Sequence, residues 1–242
     1  MKKLRISIIG NSVAIRNRPP QKSPDNKNYG LLLEEFLQNQ HPDQIVMVNN
    51  MGFSRATIIN VIQNYDEYIA SMPDYFIINI GVSDATTREI PYWFAEILNN
   101  PKQSWYKPLF SAFHHYCIKP HRSCFVKLRG KQSWITKKRF RKYYKELILL
   151  LQKETNARII VIPINLANDR IERIVPGSKE NYNQYNRIIK SIANESDCIY
   201  LKLDELNSKE HYPDGIHYSL EGNKLVAKKL FDLLERDYNY AE

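Results

Sequence analysis

The chain reads as an α/β protein, one doubly wound layer structure on a parallel sheet. Three observations predict it. Five short apolar runs are rich in β-branched residues, helical patterns lie between them, and polar residues able to do chemistry follow several of the runs. Strands that alternate with helices imply βαβ units with right-handed crossovers. A length of 242 residues suits one such unit, 1–242, and is enough to bury a core without a metal or disulfide staple.

In chain order, the predicted strands are Leu4–Ile9, Ile45–Val48, Tyr75–Ile80, Arg158–Ile164 and Cys198–Leu203. The opening Met1-Lys2-Lys3 resembles a secretion signal only faintly. Arg5 and Ser7 interrupt the apolar stretch, and no small-residue cleavage site follows, so it is read as the first strand. Helices are predicted over Tyr29–Gln40, Arg55–Tyr68, Arg139–Thr155, Asn181–Glu195 and Ser219–Arg236. In the last, Leu220, Leu225, Val226, Leu230, Leu233 and Leu234 form one stripe near the 3.6-residue period. Residues from about 90 to 135 break the rhythm. They are too many for a plain loop and are punctuated by Pro91, Pro101, Pro108 and Pro120, so an insertion or lid with its own helices is expected.

Composition removes several function classes. Glycine is scarce, 8 residues, and neither the dinucleotide fingerprint nor the P-loop pattern occurs. Cys117, Cys124 and Cys198 form no metal-ligand spacing, so no metal and no cofactor are expected, and the low odd count fits a reducing compartment. No apolar run approaches the ~20 residues of a membrane helix. The expected location is the cytoplasm, with peripheral membrane association left open.

The formal net charge of +9 is concentrated. Residues 102–145 hold thirteen Lys and Arg and no Asp or Glu, while the remainder holds 22 basic against 26 acidic residues. Ten aromatic residues, from Trp105 to Tyr144, are interleaved with that charge. An anionic substrate, acetyl-CoA or an anionic membrane surface are the partners such a segment suits. A solvated cap whose aromatics pack inward is the plain alternative. No nucleic-acid-binding motif accompanies the charge, so nucleic acid is not expected.

Ligands of open parallel sheets bind beyond the carboxyl ends of the strands. Those ends carry Gly10-Asn11-Ser12, Asn49-Asn50-Met51-Gly52, Gly81-Val82-Ser83-Asp84, Pro163-Ile164-Asn165 and, after the fifth strand, Asp214-Gly215-Ile216-His217. A serine hydroxyl needs a neighbouring base to become a nucleophile, and a histidine held by a carboxylate supplies one. Asp214 and His217, three apart before a helix, fit one turn. Ser12 sits at a strand-to-helix turn at the same end of the sheet, where the bland reading is a helix N-cap. His211 is the reserve base, and His41 lacks an obvious partner. The Gly10-Asn11-Ser12-Val13-Ala14 stretch approaches the nucleophile elbow of α/β-hydrolases, but a serine after the first strand does not fit that topology.

At these residues the chain resembles the SGNH (GDSL-type) hydrolases. Ile8-Ile9-Gly10-Asn11-Ser12 is similar to the strand-then-G-D-S signature, with Asn11 for aspartate. Asn50-Met51-Gly52-Phe53-Ser54-Arg55-Ala56-Thr57 resembles N-x-G-x-S-G-x-T, with Arg55 at its second glycine, and Asp214-Gly215-Ile216-His217 is the nearest match. The resemblance implies a flavodoxin-like three-layer α/β/α sandwich with a five-stranded parallel sheet, the basic, aromatic-rich insertion apart. It implies Ser12 as nucleophile, His217 as base and Asp214 as its orienter. It implies an oxyanion hole of Ser12, Gly52 and Ser83, where Ser83 stands for the usual asparagine. Asn11, Asn50, Asp84 and Arg88 are further candidates for substrate contact.

The expected activity is hydrolysis of O-acyl esters, foremost O-acetyl esters of carbohydrate. The alternatives are an O-acetyltransferase that modifies a cell-surface polysaccharide or its precursor with the same serine, and an impaired module that binds anionic membrane or polyanion.

Overall fold

The computed structural model describes residues 2–16, 26–99 and 105–239. Lys102, the first cation of the basic segment, and Pro101 lie outside them. The chain runs β1 (Lys3–Gly10), α1 (Ser12–Ile15), α2 (Tyr29–Gln40), β2 (Ile45–Asn50), α3 (Ile58–Gln63), α4 (Tyr65–Ile69), β3 (Tyr75–Asn79), α5 (Val82–Ala85), α6 (Tyr92–Asn99) and α7 (Lys107–Phe113). A π-helical turn (His114–Ile118) leads to α8 (Arg122–Leu128) and α9 (Lys137–Glu154). Then come β4 (Arg158–Val161), α10 (Asp169–Ile174), α11 (Ser178–Glu195), β5 (Ile199–Tyr200) and α12 (Leu220–Asn239).

All strand pairs are parallel, in the order β2-β1-β3-β4-β5. This is the flavodoxin-like order, whose switch point lies between β1 and β3. Right-handed crossovers place α2 and α12 on one face and α3, α4, α9 and α11 on the other. The packing agrees, with α12 against α2, and α9 against α3, α4 and α11. Ile6, Ile8 and Ile9 of β1 and Phe76, Ile77 and Ile78 of β3 are fully buried, as central strands covered on both faces require. The helices match them with stripes at helical spacing, such as Phe140, Tyr144, Leu147, Ile148 and Leu151 on α9.

Three elements depart most from the sequence reading. The helix expected over Arg55–Tyr68 starts only after Thr57, because Arg55 adopts a left-handed backbone (φ 65°), and it divides into α3 and α4 at Asn64 (φ −118°, ψ 26°). The last strand shrinks from Cys198–Leu203 to Ile199–Tyr200, since as an edge strand it pairs only with β4. The fourth ends at Val161, although Ile162 N–H still donates to Ile78 O at 2.9 Å.

Residues 90–135 form α6, α7, the π-helical turn and α8 around a separate small cluster of Ile90, Phe94, Ala95 and Ile118. The segment's two ends are tied together. Thr87 bridges Ser133, Arg129 Nη1 donates to Arg88 O and Ile90 O at 2.8 and 2.7 Å, and Trp134 Nε1 donates to Ile90 O at 3.0 Å. Its outer side leaves Trp105, Leu109, Phe113 and Tyr116 exposed. Among the described residues no helix is long and apolar enough to cross a membrane.

Candidate active site

The site begins at the β1–α1 turn. Asn11 is the N-cap of α1, its Oδ1 accepting from Val13 N–H at 3.0 Å, so the capping role considered for Ser12 belongs to its neighbour. Ser12 is thereby the first helical residue, and its hydroxyl is left free to face the last loop. Asn11 N–H donates to Asn79 O at 3.3 Å, which holds the turn against β3.

The other half comes from the loop before α12. Asp214 Oδ1 accepts from Ile216 N–H and His217 N–H, both at 2.8 Å, so the carboxylate builds its own turn. Gly215 in that turn has φ 85°, and a Cβ there would lie 2.4 Å from Ile171 Cγ1, so only glycine fits. Asn165 Nδ2 donates to Ile216 O at 2.9 Å and tethers the loop to the end of β4.

These two halves meet. His217 Nε2 lies 2.9 Å from Ser12 Oγ, and His217 Nδ1 lies 2.8 Å from Asp214 Oδ2. Burial raises the Asp214 carboxyl, but the hydrogen bonds from the His217 ring and from two backbone amides outweigh it and hold the group below the usual carboxylate range. Asp214 is therefore a fixed negative charge on one side of the imidazole, with the serine hydroxyl on the other.

A family model for the GDSL-like lipase/acylhydrolase family matches residues 8–225. The chain belongs to that family. As a member it is a serine ester hydrolase. Among solved structures, an acetylxylan esterase from Geobacillus stearothermophilus is similar at 19% identity, over 96% of this chain and 93% of that chain, with a TM-score of 0.61. A variant of that esterase gives 20% identity, the same coverage and a TM-score of 0.62. An alpha/beta hydrolase enzyme from the metagenome of Lake Arreo, Spain, gives 15% identity, 96% and 94% coverage and a TM-score of 0.62. These likenesses concern the fold. No curated protein sequence matches the chain.

The three residues expected to contact an oxyanion, Ser12, Gly52 and Ser83, follow β1, β2 and β3 at the carboxyl edge of the sheet. Ser12 N–H lies in the first turn of α1, where amides have no intrahelical acceptor. Ser83 lies in the first turn of α5 after Gly81, and its hydroxyl makes no hydrogen bond among the described residues. Gly52 N–H already donates to Asn50 Oδ1 at 3.2 Å, so it must loosen a long bond to serve an oxyanion. Asn50 Nδ2 in turn donates to Ala14 O at 2.8 Å, which makes Asn50 a brace between the α1 turn and the Gly52 loop.

Two of the expected substrate contacts are corrected. Asn11 and Asp84 are buried, 1% and 0% exposed, and cannot touch substrate. Asp84 Oδ1 accepts from Ile58 N–H at 2.9 Å, at the start of α3, and Oδ2 has no hydrogen-bond partner. Burial pushes this carboxyl up to about 7. His211 does not serve as a base, because its Nδ1 accepts from Asn207 N–H at 3.0 Å. His41 has a partner after all, Glu235 Oε1 at 2.6 Å.

Arg88 does reach the site's margin. Its Nη2 donates to Ser83 O at 3.1 Å, and its guanidinium carbon lies 3.9 Å from the Trp134 ring centroid. Burial draws its pKa down to about 10, which leaves it charged at neutral pH. Arg55 occupies a left-handed conformation that costs an L-residue on the order of 1–2 kcal/mol and that glycine would take freely. Sequence reasoning placed Asn165 at a strand end and Trp134 in the basic segment but gave neither a role. Asn165 stood in plain view at a strand end, whereas nothing local marks Trp134 as the platform for an arginine 46 residues earlier.

Proposed function

We propose that the protein hydrolyses O-acyl esters of carbohydrates, acetyl esters foremost, with Ser12 as nucleophile, His217 as general base and then acid, and Asp214 as the carboxylate that orients it. The observation that carries this reading is the unbroken chain from Ser12 Oγ through the two His217 nitrogens to Asp214 Oδ2, at 2.9 and 2.8 Å. Family membership supports ester chemistry. The preference for acetyl and carbohydrate is supported by the acetyl xylan esterases that share the fold.

His217 Nε2 takes the Ser12 proton as Oγ attacks the acyl carbonyl, and the developing oxyanion is met by Ser12 N–H with Ser83 and Gly52 as further donors. His217 then passes the proton to the departing sugar oxygen, leaving acyl-Ser12. Water enters, gives a proton to His217 and attacks the acyl carbon. The tetrahedral adduct collapses, Ser12 Oγ recovers its proton, and the carboxylic acid leaves. Asp214 stays ionised throughout and stabilises the imidazolium.

Ser12→Ala should lower turnover of p-nitrophenyl acetate and of acetylated xylooligosaccharides by roughly 10⁴–10⁶-fold. Unchanged turnover would reject the assignment. Transfer to a sugar hydroxyl in place of water is the second reading, favoured by the cationic side chains Arg55 and Arg88 beside the site. Acetyl-CoA mixed with candidate glycans tests it, and transfer no faster than hydrolysis counts against it.

A further inference from the structure

A cleft of about 680 Å³ lies between the inserted helices and the Arg55 loop, and Arg88 on its wall is hydrogen-bonded to the Ser83 carbonyl. Arg55, Arg88, Lys119 and Arg122 line it, with one carboxylate, Glu89. That carboxylate is spent. Arg122 Nε holds Glu89 Oε2 at 2.9 Å and His114 Nε2 lies 3.6 Å from Oε1.

The remaining cations have no acid of their own. The Arg88 guanidinium makes one hydrogen bond, to the Ser83 carbonyl, and its buried Nε has no partner. Arg55 donates to the neutral side chain of Asn99. Lys119 has no ion pair among the described residues. A buried guanidinium with idle donors is unfavourable unless an acceptor arrives, and planar guanidinium forks match phosphate oxygens.

Two of these arginines arise from the loops that carry the proposed oxyanion donors. Arg55 follows Gly52 by three residues at a left-handed position, and Arg88 is bonded to the backbone of Ser83. Nothing in the packing of the main core requires a charge at either place. Each loop thus sends one cation into the same cleft, and the insertion closes it with Lys119 and Arg122.

We propose that this cleft binds a phosphate group of the substrate and so sets the reacting ester beside Ser12. This deepens the esterase reading and rests on it for the identity of the reacting group. The phosphate has two possible sources, a sugar phosphate or diphosphate that bears or accepts the acyl group, or the phosphates of acetyl-CoA.

Calorimetric titration of the full chain carrying Ser12→Ala with inorganic pyrophosphate tests the site without catalysis. One saturable site is expected, weakened at least tenfold in an added Arg55→Gln, Lys119→Gln pair and weakened as salt is raised. Arg88→Lys keeps the charge but not the planar fork, and it should also weaken binding. Displacement by CoA supports the donor as source, and displacement by a sugar diphosphate supports the sugar. No saturable binding, or equal binding in the variants with unchanged circular dichroism, overturns the proposal. The esterase reading fails separately, through undiminished ester turnover by Ser12→Ala.

Discussion

The main sheet and the inserted helices are held together by different physics. The sheet rests on one continuous core in which β1, β3, α9 and α11 bury aliphatic and aromatic side chains almost completely. The insertion packs around four buried residues and leaves Trp105, 89% exposed, and Leu109, 67% exposed, on its outer side. Close packing fixes positions to fractions of an ångström, which a hydrogen-bonded Ser-His-Asp chain needs. A thin cluster with a large positive charge tolerates more movement and acts over longer distances. The difference separates a sheet that fixes the Ser-His-Asp geometry from an appendage that is loosely packed and carries much of the positive charge.

The sharpest way to break that comparison is to disturb the hydrogen-bonded Asp214–His217 pair at the sheet's edge. Asp214→Asn should keep the fold yet cost about 10⁴-fold in kcat, because the imidazole loses the partner that sets its tautomer. Acetate release at saturating substrate measures it. A loss below about tenfold would mean the carboxylate does not orient His217.

Stability comes next. Phe140→Ala on α9 empties a fully buried site and should cost about 3–5 kcal/mol in urea unfolding, whereas Leu109→Ser on the insertion should stay within about 0.5 kcal/mol. Similar losses at both would show the insertion to be as tightly integrated as the sheet.

Asp84, fully buried, and Asp214, partly exposed, offer a finer test, because their pKa shifts have opposite signs. Asp84 binds its proton up to about pH 7 when folded, but only to about 4 when unfolded. Between those values the folded chain carries the extra proton, so stability falls as pH rises, by at most about 1.4 kcal/mol per pH unit. Asp214 is depressed instead, so its contribution is present above the unfolded value and is lost as pH falls through the folded one. Asp84→Asn should flatten the slope between pH 5 and 7 and leave the acid limb intact. Parallel melting-temperature profiles for the two proteins would refute the buried proton.

The same division governs what could be read without coordinates. The central strands were legible because burial on both faces writes a continuous apolar run, as in Leu4–Ile9. Ser12, Asp214 and His217 were legible because each sits in a local turn pattern at a strand end. The late start of the helix predicted over Arg55–Tyr68 was not, because Asp84, 26 residues away, accepts from Ile58 N–H at the first turn of α3. Ser12 and Asn11 are both good caps, and only the placement of Asn11 Oδ1 on Val13 N–H decides between them. The stacking of Arg88 on Trp134 is equally non-local.

Ser83 marks the seam between the two regions and carries the smallest expected effect. Its backbone amide is set by α5 whatever the side chain, while Arg88 holds its carbonyl from the insertion side. A full oxyanion donor contributes roughly 2.7–4 kcal/mol, but a hydroxyl that must select a rotamer contributes less. Ser83→Ala should therefore lower kcat by about tenfold with KM nearly unchanged, as expected for a contact made only in the transition state. Ser83→Asn, with its longer amide, should restore or exceed the parent rate if the pocket accepts the added volume; circular dichroism separates a misfolded variant from a slow one. A Ser83→Ala enzyme as fast as the parent would leave the oxyanion to backbone amides alone, and the hydroxyl at this position would then be a matter of space rather than chemistry.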